Sequence, residues 1–116
     1  MKESALQSAC IDLLAVYERQ GILTYTAIPN GSVLAGDERQ RAIQMNKLKA
    51  TGLRPGFPDL MIILPGKVAF AELKSDKGVL SPAQIGWRDA LERMGFAWRL
   101  VRTLDEMKDY ITELRG

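Results

Sequence analysis

The order of apolar and polar residues predicts a β-hairpin near the middle of the chain. Residues 59–64 are almost continuously apolar, which is typical of a strand buried on both faces. The turn signal Pro65-Gly66 separates this strand from a second, alternating strand over residues 67–74. With this dipeptide as the loop, counting outward pairs Asp59 with Glu72, and a longer loop centred on it gives the same register. A bulge would shift the register.

The rest of the apolar pattern predicts helices and strands on both sides of this hairpin. Helices are expected over residues 3–19, 37–51 and 81–95 and from residue 103 onward, and strands over residues 22–28 and 96–102. The order helix, strand, helix, two strands, helix, strand, helix favours a mixed α/β fold, with a sheet of about four strands flanked by helices. The length predicts a single domain over residues 1–116.

The predicted hairpin register brings two carboxylates together. Directly opposed side chains have Cβ atoms about 5 Å apart, and two carboxylates at that distance repel by roughly 3 kcal/mol at an effective dielectric constant near 20. Stability alone does not explain such a pair, whereas a hard divalent cation removes the repulsion. Lys74 projects from the same face as Glu72 and adds an amine beside Asp59. A metal, an amine and a water form a phosphodiester hydrolysis site.

Composition excludes several other kinds of site. The single cysteine, Cys10, excludes an internal disulfide and a cysteine-cluster zinc site, and the absence of histidine excludes Ser-His and Cys-His nucleophiles and histidine-ligated metals. We find neither a membrane-spanning apolar run nor a signal-peptide pattern, so we expect a cytoplasmic protein of a bacterium or phage-infected cell, without a membrane partner.

One stretch is strongly basic although the net charge is only +2. It contains no acid and includes Arg39, Arg41, Lys47, Lys49 and Arg54. Because it directly precedes the predicted site, we interpret it as a set of phosphate contacts that position DNA, with a solvated helix face as the alternative. Lys77, in the polar loop after Lys74, has the same two interpretations, substrate contact or plain surface.

The ordered set of motifs resembles a nuclease family. Pro58-Asp59, followed after a hydrophobic interval by Glu72-Leu73-Lys74, resembles the Pro-Asp…(Asp/Glu)-X-Lys signature of the restriction-endonuclease-like superfamily. The wider pattern resembles the virus-type replication-repair nuclease (VRR-NUC) branch over nearly the whole chain. That pattern comprises Glu3 with Gln7, Pro29-Asn30, the Gly-Phe-Pro-Asp run ending at Asp59, Glu-Leu-Lys, and Leu80-Ser81 leading to Gln84.

The resemblance implies a restriction-endonuclease-like fold and a Mg²⁺- or Mn²⁺-dependent DNA endonuclease. Asp59, Glu72 and the Leu73 carbonyl would bind the metal, and Glu3 would bind it directly or through water. Lys74 would orient or deprotonate the attacking water, or stabilise the transition state.

Three of the residues in the resemblance also have structural interpretations. Glu3 would interact with the helix dipole, and Gln84 would complete a capping box instead of lying near the metal. Asn30, a candidate DNA contact, would serve only as a turn residue.

The predicted partner is DNA, and a second copy of the chain is expected with it. One site cuts one strand, so matched cuts in two strands require two sites, most simply in a two-fold homodimer. Stand-alone relatives resemble Holliday-junction resolvases, which implies branched DNA as the substrate. Two other classes remain open: a non-catalytic nucleic-acid-binding or assembly module that retains the fold, and a small α/β domain with no nucleic-acid role.

Overall fold

The computed structural model describes residues 1–29 and 34–116, and its elements follow the predicted order. They are α1 (Glu3–Arg19), β1 (Thr24–Ala27), α2 (Glu38–Ala50), β2 (Leu60–Leu64), β3 (Lys67–Leu73), α3 (Pro82–Arg93), β4 (Ala97–Val101) and α4 (Leu104–Arg115). The predicted mixed α/β class is confirmed. No helix in the described part of the chain is long and apolar enough to span a membrane.

The outer strands β1 and β4 are shorter than predicted, and three of the excluded residues bond to the ends of neighbouring helices. The N–H of Ile22 donates to the carbonyl of Tyr17 at 3.1 Å, and that of Phe96 donates to the carbonyl of Leu91 at 3.0 Å. Both bonds close the last turn of a helix. The N–H of Arg102 donates to the Glu106 carboxylate, so this residue lies at the start of α4 and not in β4.

The sheet confirms the predicted hairpin. Its order is β1-β2-β3-β4, with β1–β2 and β2–β3 antiparallel and β3–β4 parallel. The register runs from Leu64 opposite Lys67 to Leu60 opposite Ala71. One step further out, the same end of the sheet carries Asp59 and Glu72.

The core lies on the sheet face that α1 and α4 cover. Leu60, Ile62 and Leu73 are fully buried there, and the Tyr110 hydroxyl of α4 donates to the Phe70 carbonyl at 2.8 Å. Burial raises the pKa of the Cys10 thiol to about 11, so this cysteine packs as a small apolar side chain.

The opposite face is covered only in part, which corrects the prediction that β2 is buried on both faces. Helix α3 covers the part next to β4, where Phe70 packs edge-on against Phe57 and Phe96. Toward β1, where Ile63 pairs with Thr24, the side chain of Ile63 is 40% exposed. Met94 is 71% exposed, because it forms the C-cap of α3 beyond the last helical turn.

Helix α2 lies in the predicted place but buries none of its residues. Asp37 caps it through a capping box with Gln40, and Thr51 is the C-cap. Its regular conformation therefore depends on local hydrogen bonds, including one from Arg41 to the Gly36 carbonyl at 3.0 Å.

Candidate active site

Asp59 and Glu72 lie at the end of the hairpin, where the β2–β3 ladder stops. Asp59 is 6% exposed and Glu72 is 1% exposed, and they are the buried charged residues of the described part of the chain. The Leu73 N–H donates to Asp59 Oδ2 at 2.8 Å, and the Ile28 N–H donates to the Asp59 carbonyl at 2.8 Å. Asp59 is thus held by both neighbouring strands of the sheet.

The two oxygens of Glu72 have different surroundings. Oε1 accepts a hydrogen bond from Gln84 Nε2 at 2.7 Å. Oε2 is buried and has no hydrogen-bond partner among the described residues. An unsatisfied buried carboxylate oxygen is costly unless a cation or another donor binds it, so this atom marks where a ligand would bind.

Gln84 serves the helix and the acid pair at the same time. Its Oε1 accepts from the Ser81 N–H at 2.8 Å, and its own N–H donates to Ser81 Oγ at 3.2 Å, which completes the capping box of α3. Its Nε2 remains for Glu72. The capping role and the position beside the acids, weighed as alternatives from the sequence, therefore coexist.

Lys74 follows β3 directly and is half-buried. Its N–H donates to the Val101 carbonyl at 3.1 Å, so its backbone is fixed to the end of β4. Its positive charge acts on both acids and lowers the pKa of each. The ammonium group of Lys74 is therefore close enough to influence both acids electrostatically.

Burial dominates the protonation of the acid pair. Burial and the negative charge of Asp59 raise the pKa of Glu72 to about 8, and the positive charge of Lys74 opposes them. Burial also raises the pKa of Asp59, whereas the hydrogen bond from the Leu73 N–H and the positive charge of Lys74 lower it. At neutral pH the metal-free pair therefore retains a proton.

The loop before Asp59 is fixed by close packing against α3. Gly56 has φ +84°, and a Cβ there would lie 2.6 Å from the backbone carbon of Ala83. Trp87 Nε1 donates to the Pro55 carbonyl at 3.1 Å, and the Trp87 ring meets the Phe57 ring edge-on at 4.8 Å. Helix α3 thereby holds the loop that leads into Asp59 as well as the side chain of Glu72.

Glu3 and Lys77, two further predicted side chains, are both exposed. Glu3 is exposed in the first turn of α1, from which its charge still contributes to raising the pKa of Glu72. Lys77 is exposed in the turn after Lys74. The Leu73 carbonyl, like the Leu73 N–H, lies at the end of β3. Asn30 lies outside the described residues.

The basic residues divide into two groups. Arg54 lies with its guanidinium carbon 5.0 Å from the centre of the Trp87 ring, on the loop that precedes Asp59. The others are exposed along α2: Arg39, Arg41, Lys47 and Lys49. Both groups belong to the segment that leads into the acid pair.

The donor set suits a magnesium-like ion. In the described ranges, no three carboxylate, histidine or cysteine side chains come close enough together to hold a metal. Magnesium commonly uses one or two carboxylates and completes its shell with water and substrate phosphate oxygens. Asp59 and Glu72, with the buried unpaired Oε2, fit that requirement.

Sequence reasoning missed Arg102. Its guanidinium donates to the Ser75 carbonyl at 2.7 Å, next to Lys74. An arginine after the last strand has no sequence signature, because the contact joins positions 27 residues apart.

Comparisons with known proteins identify the family and the fold. The model of the VRR-NUC domain family matches residues 1–103. A solved structure described as a VRR_NUC domain protein is similar with a TM-score of 0.70 and 16% sequence identity, over 97% of this chain and 87% of that one. A search of curated proteins finds no match. Helix α4 lies beyond the family match yet contributes the buried Met107 and Ile111 to the core. From the match over residues 1–103, this chain belongs to the VRR-NUC domain family and has its nuclease-type fold.

Proposed function

We propose that this protein is a Mg²⁺- or Mn²⁺-dependent DNA endonuclease. One observation carries the proposal: two buried acids, one with an unpaired oxygen, lie within the electrostatic reach of a half-buried lysine. A buried acid pair costs stability, and the VRR-NUC family fold supplies a reason for keeping it.

Each residue near the pair has a distinct role in this proposal. Asp59 and Glu72 would hold the divalent cation, with the Leu73 carbonyl as a further ligand and Glu3 acting directly or through water. Gln84 orients the Glu72 carboxylate through its hydrogen bond to Oε1, so that Oε2 faces the ligand. The Leu73 N–H orients Asp59 in the same way.

The chemistry divides between the metal and the lysine. When bound, the divalent cation supplies Lewis-acid polarisation of the scissile phosphate and stabilises the leaving oxygen. Lys74 orients the attacking water and places its positive charge beside the phosphoryl oxygens as negative charge develops there. Water-excluding surroundings, given by the burial of both acids, strengthen these interactions.

The basic segment before Asp59 supplies the DNA contacts in this proposal. Arg39, Arg41, Lys47 and Lys49 present exposed cationic groups along α2 for phosphate contacts. Arg54 and Lys77 flank the acid pair in the chain, and Asn30 is kept as a further candidate. We extend the proposal to a homodimer that prefers branched, four-way DNA.

The decisive experiment is a cleavage panel with metal. Duplex, nicked, flapped and four-way branched DNA are each incubated with Mg²⁺, with Mn²⁺ and with chelator. Wild type is compared with Glu72→Ala and with Glu92→Gln, a control at an exposed position of α3. We expect metal-dependent cleavage by wild type and by the control, and none by Glu72→Ala, which retains its fold and DNA binding. Cleavage by Glu72→Ala at the wild-type rate would exclude this site.

Calorimetric titration of the free protein with Mn²⁺ separates an enzyme from a module that only binds DNA. If Asp59 and Glu72 hold the metal, wild type should bind Mn²⁺ and Asp59→Ala should not. A protein that binds DNA but neither binds metal nor cleaves would instead be a non-catalytic module with a nuclease-type fold.

A further inference from the structure

A short turn directly after Lys74 is fixed to the end of the sheet. The Gly78 N–H donates to the Ser75 carbonyl at 3.1 Å, which closes the turn. The same carbonyl accepts from Arg102 Nη1 at 2.7 Å, and the Asp76 carbonyl lies 3.4 Å from that nitrogen. Because Arg102 follows β4 directly, β4 holds both the backbone of Lys74 and the turn beyond it.

The turn folds back onto the side chain of Lys74. A Cβ added to Gly78 would lie 3.1 Å from Lys74 Cδ and 3.4 Å from Lys74 Cβ. Gly78 has no positive φ, unlike several other glycines of the chain. The space at this position is therefore limited by the Lys74 stem and by Ser75 Oγ, which would lie 3.3 Å from an added Cβ, and not by the backbone conformation.

We propose that the turn from Ser75 to Gly78, held by Arg102, positions the ammonium group of Lys74 against the acid pair. Gly78 and Arg102 are thus positioning residues that act through Lys74. This inference rests on the proposed nuclease function for its catalytic consequence, whereas the confinement of the lysine side chain is a property of the metal-free protein.

A methyl group at position 78 should lower turnover while leaving the stability of the fold almost unchanged. The Lys74 stem is flexible and yields by a few tenths of an ångström, so the fold loses little. The ammonium at the end of that stem moves with it, however. A misplacement of about 1 Å at a reacting centre costs about a hundredfold in rate, which is the upper limit for this smaller displacement. A merely structural contact would produce the opposite pattern, with a lower melting temperature and unchanged turnover.

The first test compares Gly78→Ala with Gly86→Ala. Gly86 lies in α3 and has no atom within 4 Å of an added Cβ, so it controls for the extra methyl group. We expect Gly78→Ala to lower kcat about tenfold to a hundredfold, with unchanged KM for DNA, Mn²⁺ affinity and melting temperature. Wild-type kcat in Gly78→Ala, or a loss matched by Gly86→Ala, would overturn the inference.

The second test needs no catalysis and uses amine acetylation of the metal-free protein. Arg102→Met frees the turn, so we expect Lys74 to be acetylated faster relative to the exposed Lys108, as measured peptide by peptide by mass spectrometry. Arg115→Met removes the same charge near Lys67, at the opposite end of β3, and should leave the ratio unchanged. An unchanged ratio in Arg102→Met would overturn the inference.

The two tests also distinguish the possible failures. If wild type cleaves none of the DNA substrates, the proposed function fails, and the acetylation ratio still decides whether the turn confines Lys74. If wild type cleaves and neither variant differs from its control, the proposed function stands and the positioning role is wrong.

Discussion

At the residue scale, the site is a pair of buried acids whose negative charge is only partly compensated by nearby positive charge. Lys74 is the cation that acts on both acids, and burial outweighs it, so the pKa of each acid is raised. The hydrogen bonds from Leu73 and Gln84 each satisfy one carboxylate oxygen. Such an arrangement is stable without metal only when it retains a proton, and a divalent cation would replace that proton.

The raised pKa of Glu72 predicts how stability depends on pH. Its ordinary value is 4.5 and its value in the fold is about 8. Between these values the folded state keeps a proton that the unfolded state has released, so stability falls as pH rises through this window, by up to about 1.4 kcal/mol per pH unit. We expect the free energy of unfolding of the metal-free wild type to fall from pH 5 to pH 8, and that of Glu72→Gln to fall less. Urea titrations of both proteins measure this difference.

The comparison with Glu72→Gln isolates this effect from that of the other carboxylates. Both proteins should have similar stability near pH 5, and the variant should be the more stable above pH 8. Parallel stability curves for the two proteins would show that Glu72 titrates at its ordinary pKa. Added Mg²⁺ should stabilise wild type most at high pH, where the acids are ionised.

At the element scale, the first turn of α3 organises the site from the side. Gly56→Ala would place a methyl group 2.6 Å from the backbone carbon of Ala83, at a φ of +84°. We expect a loss of at least about 2 kcal/mol in the free energy of unfolding, from the steric clash and the backbone strain together. Denaturant titration measures it.

Gly21→Ala is the matched control for that loss. Gly21 has a similar φ of +75°, but an added Cβ meets no atom within 4 Å. Its variant should lose only the strain of a left-handed residue, about 1 kcal/mol. Equal losses at the two positions would mean that α3 does not constrain the loop that leads into Asp59.

Helix α2 is the element that we expect to contact DNA. Replacing Lys47 and Lys49 together with Gln should weaken binding similarly for all DNA sequences. It should also reduce the slope of log K against log salt by about one unit for each phosphate that the variant no longer neutralises. Fluorescence anisotropy over a salt series measures this, with Lys108→Gln on α4 as the control. An unchanged slope would mean that these lysines belong to a solvated helix face and do not contact DNA.

The sequence predicted local features well and packing between distant segments poorly. The hairpin register, observed from Leu64 opposite Lys67 to Leu60 opposite Ala71, was predictable because a Pro-Gly turn and period-two alternation determine it within a short stretch. The exposure of Ile63 was not, since it depends on how far α3 extends over the sheet. The contacts of Arg102 with the turn also join distant positions, so no local sequence pattern predicts them.

At the scale of the whole molecule, the single buried acid pair of the described residues raises the question of how two DNA strands are cut. A single site cleaves one strand, so we expect a two-fold homodimer that prefers four-way junctions to plain duplex. Light scattering at micromolar concentration, with and without junction DNA, measures the oligomeric state. A monomer under both conditions would exclude the dimer. A dimer that cuts linear duplex as fast as junctions would leave the dimer and remove the substrate preference.

The absence of buried residues in α2 has a consequence for its dynamics. A helix of 13 residues without a buried side chain is marginal by itself, and here capping supplies its main support. Its amide hydrogens should therefore exchange with solvent by local opening, much faster than those of β3, whose opening requires the whole core to unfold. Bound DNA should slow exchange in α2 alone. DNA binding would then order α2, while the acid pair beside the sheet would stay as rigid as before.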